Sequence, residues 1–193
     1  GALFSLRANA INFTKEQMIE GIIFAHSLNK KVYVTANISL HSKEMKLAEE
    51  YLKELKEINV DAIIASDPTI VKMAHDIGLE VHLSTQQSTI NYEAALFWKS
   101  IGVTRIVLAR EANKDEIKEI IEKTGMEIEV FIHGAMCSAY SGRCVLSNYF
   151  TARDSNRGGC SQICRWDFDL LDSNLNNLTK EKRFSFSTKD LSQ

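Results

Sequence analysis

Residues 61–83 read DAIIASDPTIVKMAHDIGLEVHL and contain one complete unit of strand, loop, helix and second strand. Asp61–Ala65 is short and apolar, which predicts a buried strand. Asp67-Pro68 follows as the N-cap and first-turn proline of a helix that ends near Gly78. Glu80–Leu83 is then the next strand. Strands that alternate with helices over short connections are typical of a parallel sheet with helices packed outside it.

The same unit repeats on both sides of this stretch. Thr14, with Gln17 three residues later, has the capping-box pattern that begins a helix. The other predicted helices are Ser42–Ile58, Asn91 to about Ser100, and one that is capped at Asn113 and stopped by Gly125. The other predicted strands are Lys31–Asn37, Arg105–Leu108 and Glu127–Ile132. No Gly-rich phosphate loop follows any strand, so an α/β fold of the (β/α)-barrel (TIM-like) type is favoured over a dinucleotide-binding sheet.

The number of units predicts an incomplete barrel. A complete barrel has eight βα units, whereas residues 1–134 contain about five, so we expect further strands before Gly1 and after Gln193 in a longer protein. Residues 135–170 lack a regular period and form a Cys-rich segment. Residues 171–193 are predicted to return to the barrel through a strand at Phe184–Phe186 and a loop at residues 189–191.

Composition narrows the class of protein further. A chain of 193 residues with 45% hydrophobic content is typical of one globular domain. A net charge of −2 gives no global attraction to nucleic acid or an anionic membrane, so RNA binding would require a local patch. No apolar run approaches the ~18 residues needed to span a bilayer, and no segment has the layout of a signal peptide. We expect no membrane partner.

All four cysteines lie in one window, spaced Cys137-x6-Cys144-x15-Cys160-x3-Cys164. A disulfide scaffold usually spreads its cysteines along the chain, so this cluster favours a metal site in a cytoplasmic protein. Cys160 and Cys164, if helical, would share one face. Glycines at 142, 158 and 159 would let the backbone approach a cluster, and arginines at 143, 157 and 165 would balance thiolate charge. Spacing favours iron–sulfur but leaves zinc, disulfides and buried structural cysteines open.

Residues 129–147, EVFIHGAMCSAYSGRCVLS, resemble the signature of the collagenase-like peptidases, peptidase family 32. Other segments resemble the family in the same order, so that the resemblance covers essentially the whole chain: Phe4–Arg7, Lys31–Val34 with Asn37, Ser84–Gln86, and Arg105–Leu108 with Arg110 and Glu111. Arg153–Cys160, Cys164–Asp167 and Ser187–Leu191 are most similar to the bacterial tRNA hydroxylation branch.

The resemblance implies that the four cysteines hold a 4Fe–4S cluster. It also implies that tRNA is the substrate, and that the wobble uridine becomes 5-hydroxyuridine with prephenate as co-substrate. Sister branches hydroxylate ribosomal RNA or a ubiquinone precursor. The family name implies a peptidase with a protein substrate as the alternative. A non-catalytic electron-transfer or scaffold protein is a third class.

Polar residues just after predicted strands are the candidate catalytic groups, because barrel active sites lie at the carboxyl ends of the strands. They are Asn37, Ser66, Asp67, Ser84, Thr85, Gln86, Arg110, Glu111 and His133, of which Asp67 is favoured as a helix cap because Pro68 follows it. Each has a structural alternative: Asn37 and Gln86 can satisfy backbone groups, and Arg110 with Glu111 can form an ion pair at the rim. His133 can be a general acid or base, a hydrogen-bond partner of a cluster ligand, or structural.

Aromatic and arginine side chains alternate near the cysteines. Tyr140, Arg143, Arg165 and Trp166 are predicted to bind the substrate, since stacking surfaces beside positive charge suit single-stranded RNA. Packing around the cluster is the alternative role for the aromatic rings. A peptidase would need a nucleophile paired with a base. A cluster would occupy every cysteine, Ser141 lacks a nucleophile elbow, and no zinc-protease helix exists, so hydroxylation is favoured over proteolysis.

Overall fold

The computed structural model describes residues 3–6, 8, 11–135, 137–178, 185–186 and 190–191. Arg7, Met136, Phe184 and residues 187–189, on which some sequence predictions fell, lie outside the described residues. Five strands form one parallel sheet in chain order: β1 (Tyr33–Ala36), β2 (Ala62–Ala65), β3 (Glu80–Leu83), β4 (Arg105–Val107) and β5 (Glu127–Glu129). The helices are α1 (Lys15–Ser27), α2 (Met45–Glu57), α3 (Pro68–Asp76), α4 (Tyr92–Ser100), α5 (Lys114–Thr124) and α6 (Leu146–Thr151).

The helices begin where their capping residues predict. The Thr14 side chain accepts the N–H of Gln17 at 3.3 Å, and the Gln17 side chain accepts the N–H of Thr14 at 3.0 Å. Asn113 forms the same reciprocal pair with Glu116 at the start of α5. Asp67 accepts the N–H of Thr69 at 2.8 Å, with Pro68 as the first residue of α3. These contacts satisfy N–H groups that the first helical turn leaves without partners.

The two faces of the sheet differ sharply in polarity. One face carries buried aliphatic side chains that pack against the helices, among them Val34, Ile63, Val81 and Ile106. Side chains alternate along a strand, so the residues between them share the opposite face. That face is mostly polar, with Tyr33, Thr35, His82, Arg105 and Glu127 on it. The predicted α/β class with a parallel sheet is confirmed.

Several predicted boundaries need correction. The strand predicted for Glu127–Ile132 ends at Glu129, because its neighbour β4 ends at Val107 and the last backbone bond between them in the described part of the chain runs from Leu108 N–H to Glu129 O at 3.0 Å. The helix predicted for Ser42–Ile58 begins with a 3-10 turn, Ser42–Glu44, before α2.

The last described residues also depart from the prediction. Asp190–Leu191 is a short strand, β7, rather than a loop. It pairs antiparallel with β6 (Gly134–Ala135) in a separate two-stranded sheet, which gives its backbone groups hydrogen-bond partners. Ser185 and Phe186 are not in a strand. Among the described residues, no helix combines the length and apolarity that crossing a membrane would take.

Asp67→Ala should destabilise the protein more than Asn91→Ala. Asp67 caps α3 and also accepts the N–H of Leu40 at 2.8 Å, whereas Asn91 caps only α4, through Ala94 N–H at 2.9 Å. We expect a loss of about 2–3 kcal/mol for D67A and about 1 kcal/mol for N91A, measured by urea unfolding. Equal losses in the two variants would show that the hydrogen bond from Leu40 N–H to Asp67 adds nothing to the stability.

Candidate functional site

A hydrogen-bonded polar cluster lies at the carboxyl ends of β1 and β3. The Nδ2 group of Asn37 donates to Oε1 of Gln86 at 2.9 Å and to Oγ of Ser84 at 3.4 Å. Ser84 also donates to Oε1 of Gln86. The Oδ1 atom of Asn37 accepts the backbone N–H of Leu6 at 3.2 Å. Asn37 and Gln86, which the sequence predicted as site residues, are therefore in direct contact.

This cluster borders a cavity of about 440 Å³ that opens over the polar face of the sheet. The size falls in the ordinary range for small-molecule sites. Its walls come from all five strands or the residues just after them, together with the segment before α1. The lining residues are Ser5, Leu6, Thr35, Asn37, Ile64, Ser84, Thr85, Gln86, Val107, Glu129 and Phe131. We call it the sheet-end cavity.

All four cysteines line a second cavity, of about 170 Å³, which we call the cysteine cavity. None of the four forms a disulfide, and Cys144, Cys160 and Cys164 are half-buried while Cys137 is exposed. Gln86, Arg110, Tyr140 and Ser141 also line it. Leu6, Thr85 and Gln86 belong to the walls of both cavities, so the two spaces adjoin.

Polar side chains hold the two halves of the Cys-rich segment together. Asn156 Nδ2 donates to the carbonyl of Cys144 at 3.1 Å, which joins the second cysteine to the loop before the third. The buried Ser147 accepts the N–H of Ser161 through its hydroxyl at 3.0 Å. Cys160 and Cys164 do not share a helix as proposed, because Gln162 has a left-handed backbone with φ of 55° and only Ile163–Arg165 is helical.

The Cys-rich segment also contacts the sheet ends closely. A Cβ atom on Gly142, whose φ is +73°, would lie 2.5 Å from the backbone oxygen of Gln86. Beside it, Ser88 Oγ donates to the carbonyl of Ser141 at 3.2 Å, and Arg110 donates to the Ser141 hydroxyl. The position therefore requires glycine both for its backbone conformation and for space.

An ion pair between Arg157 and Glu44 attaches the Cys-rich segment to the turn before α2. Arg157 donates to Oε1 of Glu44 at 2.7 Å and also to the carbonyl of Ser39. The hydrogen bond from Arg157 holds the pKa of the Glu44 carboxyl below its usual value, and the backbone N–H of His41 lowers it further. The charged form of Glu44 is thus the form that holds this attachment.

Arg110, one of the predicted catalytic residues, carries a positive charge and lines the cysteine cavity. Its side chain is half-buried and contacts the buried Ser141 and the ring of Phe131, whose centroid lies 5.9 Å from the guanidinium carbon. Within the described part of the chain no carboxylate pairs with it, and no group of three or more His, Cys, Asp or Glu is arranged to hold a metal ion. All four cysteines line the same cavity.

Of the remaining predicted residues, only one lines either of the two cavities in the described part of the structure. Tyr140 lines the cysteine cavity and is 55% exposed, so its ring is available to a ligand. The others line neither cavity: His133, Glu111, Arg143 and Trp166 are exposed, and Arg165 is half-buried. His133 lies beyond the end of β5 because that strand stops early. Their roles stay predictions.

Several residues that line the cavities were missing from the predicted set, among them Ser141, Phe131, Thr35 and Glu129. Thr35 and Glu129 lie on the polar face of the sheet, and the alternation of side chains along β1 and β5 could have identified them. Ser141 is adjacent to the glycine at 142, but no local pattern predicts its contact with Arg110, which is 31 residues away in sequence.

The whole chain, residues 1–193, matches the sequence profile described as peptidase family U32. This protein belongs to that family. It is 52% identical over 198 residues to tRNA hydroxylation protein P1 of Bacillus subtilis (strain 168), covering 99% of this chain and 47% of that protein. It is 42% identical over 194 residues to the 23S rRNA 5-hydroxycytidine C2501 synthase of Escherichia coli (strain K12), covering 100% of this chain and 29% of that protein.

A solved structure supports the fold. The U32 peptidase Mk0906 superimposes with a TM-score of 0.57 at 16% identity, covering 90% of this chain and 70% of that one. The chain spans about half the length of the Bacillus relative, 47% of it. The predicted family is confirmed, including its tRNA hydroxylation branch among the relatives.

Gly142→Ala should loosen the Cys-rich segment from the sheet. Gly125 is a matched control, because its φ is +61° but nothing lies within 4 Å of an added Cβ. We expect G125A to cost about 1 kcal/mol for its backbone conformation alone, and G142A about 3 kcal/mol or more because the Gln86 carbonyl must also move. Urea unfolding measures both, and limited proteolysis should cut residues 137–164 faster only in G142A. Similar behaviour of the two variants would contradict the close contact.

Arg157→Met should remove a pH-dependent part of the stability. The pKa of Glu44 is lowered in the folded protein, so its contribution is full above the ordinary glutamate pKa and is lost as the pH falls through the lower folded value. We expect R157M to cost about 0.5–1 kcal/mol at pH 7, discounted for partial exposure, and less at pH 3, where only the bond to the Ser39 carbonyl is independent of the charge on Glu44. Urea midpoints at both pH values test this. Lys118→Met, in an exposed pair with Glu122, is the control and should change little at either pH.

Proposed function

We propose that this protein hydroxylates RNA, and that its reaction is the prephenate-dependent 5-hydroxylation of the wobble uridine of tRNA with a 4Fe–4S cluster on Cys137, Cys144, Cys160 and Cys164. One observation carries the proposal: all four thiols line one cavity that adjoins the cavity at the strand ends. The names of the relatives supply the substrate class, because one is a tRNA hydroxylation protein and another an rRNA 5-hydroxycytidine synthase.

The four thiols can serve as the ligands of one metal cluster, because all of them line the same cavity. An iron–sulfur cluster is held by four cysteine thiolates, each bound to a separate iron corner. A bound cluster would supply electron transfer beside the substrate.

Arg110 is proposed to provide fixed positive charge at this site. A guanidinium stays protonated at any physiological pH and has five N–H donors, only part of which Ser141 uses. The remaining donors can offset the negative charge of the thiolates and orient a carboxylate such as that of prephenate. Tyr140, exposed at the rim of the cysteine cavity, offers a ring on which an RNA base can stack.

The sheet itself is proposed to be five consecutive strands of a (β/α)-barrel. Chain order without reversal and an apolar outer face covered by helices both support this arrangement. In it, residues 135–170 form the Cys-rich segment over the carboxyl ends of the strands, and residues 171–193 return towards the barrel. A cytoplasmic location is part of the same proposal, since reduced thiols and tRNA occur there.

Peptide hydrolysis is the second candidate, because the family is described as a peptidase family. A serine nucleophile needs a base that accepts its proton. Ser141, the buried hydroxyl of the cysteine cavity, instead accepts a hydrogen bond from Arg110, which has no acceptor to offer. The site geometry therefore favours hydroxylation over peptide cleavage.

Deletion of the gene should abolish 5-hydroxyuridine in tRNA, and re-expression of the gene should restore it. Cys160→Ser should fail to restore it, because one corner of the cluster would lose its thiolate, whereas Ser173→Ala in an exposed turn should restore it fully. Mass spectrometry of digested tRNA measures the nucleoside. A strain unable to make prephenate should show the same loss.

The visible spectrum of anaerobically purified protein tests the cofactor separately. Brown absorbance that C160S loses and S173A keeps is expected. Colourless protein with bound zinc would contradict the cluster, and unchanged 5-hydroxyuridine after deletion would contradict the tRNA reaction.

A further inference from the structure

The hydrogen bonds around Asn37 fix the orientation of two side-chain amides. A backbone N–H can only donate, so the Asn37 atom that faces Leu6 N–H must be its oxygen. The Asn37 NH₂ group therefore points the other way and donates to Gln86. That contact in turn requires the oxygen of Gln86 to face Asn37. The direction of each amide, usually ambiguous from atom positions, follows here from a donor that cannot reverse.

The same chain of hydrogen bonds determines what Gln86 presents to a ligand. Its Oε1 accepts from both Asn37 and Ser84. Its Nε2 group donates to no acceptor within the described part of the chain, although Gln86 lines both the sheet-end cavity and the cysteine cavity. The two N–H donors of this group thus point to a hydrogen-bond acceptor on a ligand, and a carbonyl oxygen is one such acceptor.

We propose that the sheet-end cavity binds one flipped-out pyrimidine base and that Gln86 selects uracil over cytosine through the group at ring position 4. This inference rests on the proposed function. Uracil has a carbonyl oxygen at that position, which accepts from Nε2 of Gln86. Cytosine has an amino group there, which would face a second donor and leave both groups unpaired. Position 4 is next to carbon 5, so this contact also orients the carbon that is hydroxylated.

The other walls of the cavity suit a base. Phe131 provides a half-exposed aromatic ring at one side, and Ser5, Thr35 and Thr85 add hydroxyl groups near the strand ends. A nucleobase that is read outside a helix is recognised by stacking together with hydrogen bonds to its edge. Asn37 does not touch the base in this arrangement. It is a positioning residue that sets which end of Gln86 points into the cavity.

The test measures binding of uridine 5′-monophosphate and cytidine 5′-monophosphate to the anaerobically purified protein by calorimetry. We expect the uridine nucleotide to bind roughly ten- to hundredfold more tightly. Uracil gains a hydrogen bond from Nε2 of Gln86, whereas the amino group of cytosine would face that donor and leave both unpaired. Gln86→Leu should remove the preference. Asn37→Asp should reverse it, because a carboxylate accepts on both oxygens and forces Gln86 to turn its NH₂ group away from the cavity and its oxygen towards it.

Asn91→Asp controls for the added negative charge. Asn91 is an exposed helix cap outside both cavities, and aspartate caps equally well, so the preference for uridine should stay. Far-UV circular dichroism checks that each variant is folded. If N37D does not fold, the nucleotide preference of Q86L alone tests the role of Gln86. Equal affinities in the unaltered protein, no measurable binding of either nucleotide at millimolar concentration, or an unchanged preference in Q86L would overturn the proposal.

These outcomes are independent of the cellular test of the proposed function. If the uridine preference holds but tRNA hydroxylation does not depend on the gene, the base site stands and the reaction is wrong. If 5-hydroxyuridine disappears on deletion but the purified protein does not discriminate the nucleotides, the reaction stands and Gln86 does not select the base.

Discussion

A methyl group on Gly142 would lie 2.5 Å from the backbone oxygen of Gln86, and the rest of the site depends on this close approach. It brings a segment that has almost no regular structure against the rigid end of β3. Once Gly142 is there, Ser141 meets both Ser88 and Arg110, and the cysteines on either side of it face the same space. A loop on its own would have to lose much conformational freedom to gather four distant thiols. Docking on the sheet removes that freedom in one step.

The sheet has two faces with different tasks. Its aliphatic face packs against helices and supplies the hydrophobic stabilisation of the fold. Its other face can then carry groups such as Thr35, His82 and Arg105, which a fully apolar core would exclude. Polar groups on that face gain partners among themselves: His82 contacts Glu80 at 2.9 Å, and Arg105 contacts Glu127 at 2.6 Å. The sheet-end cavity lies where this polar face meets the ends of the strands.

Much of the regular fold could be predicted from sequence, because its signals are local. Thr14, Asp67 and Asn113 each cap a helix within three residues of themselves, and each predicted cap is present. The end of β5 could not be predicted, since it depends on where the neighbouring β4 stops supplying backbone partners, which no pattern around Glu129 records. The site shows the same division. Strand-end positions identified Asn37, Gln86 and Arg110, whereas Ser141 becomes a partner of Arg110 only after the Cys-rich segment has docked.

Gln86 lines the sheet-end cavity and contacts the Cys-rich segment, the first through its side chain and the second through its main chain. Its backbone oxygen lies against Gly142, so the main chain of this residue helps to position the segment that carries the cysteines. Its side chain is held by Asn37 and Ser84 and borders both cavities. A substrate base bound by that side chain would therefore contact a residue that is itself part of the wall of the cysteine cavity. Because Thr85–Gln87 form a 3-10 turn directly after β3, a single turn at the end of the sheet carries both the contact with Gly142 and the proposed contact with the base.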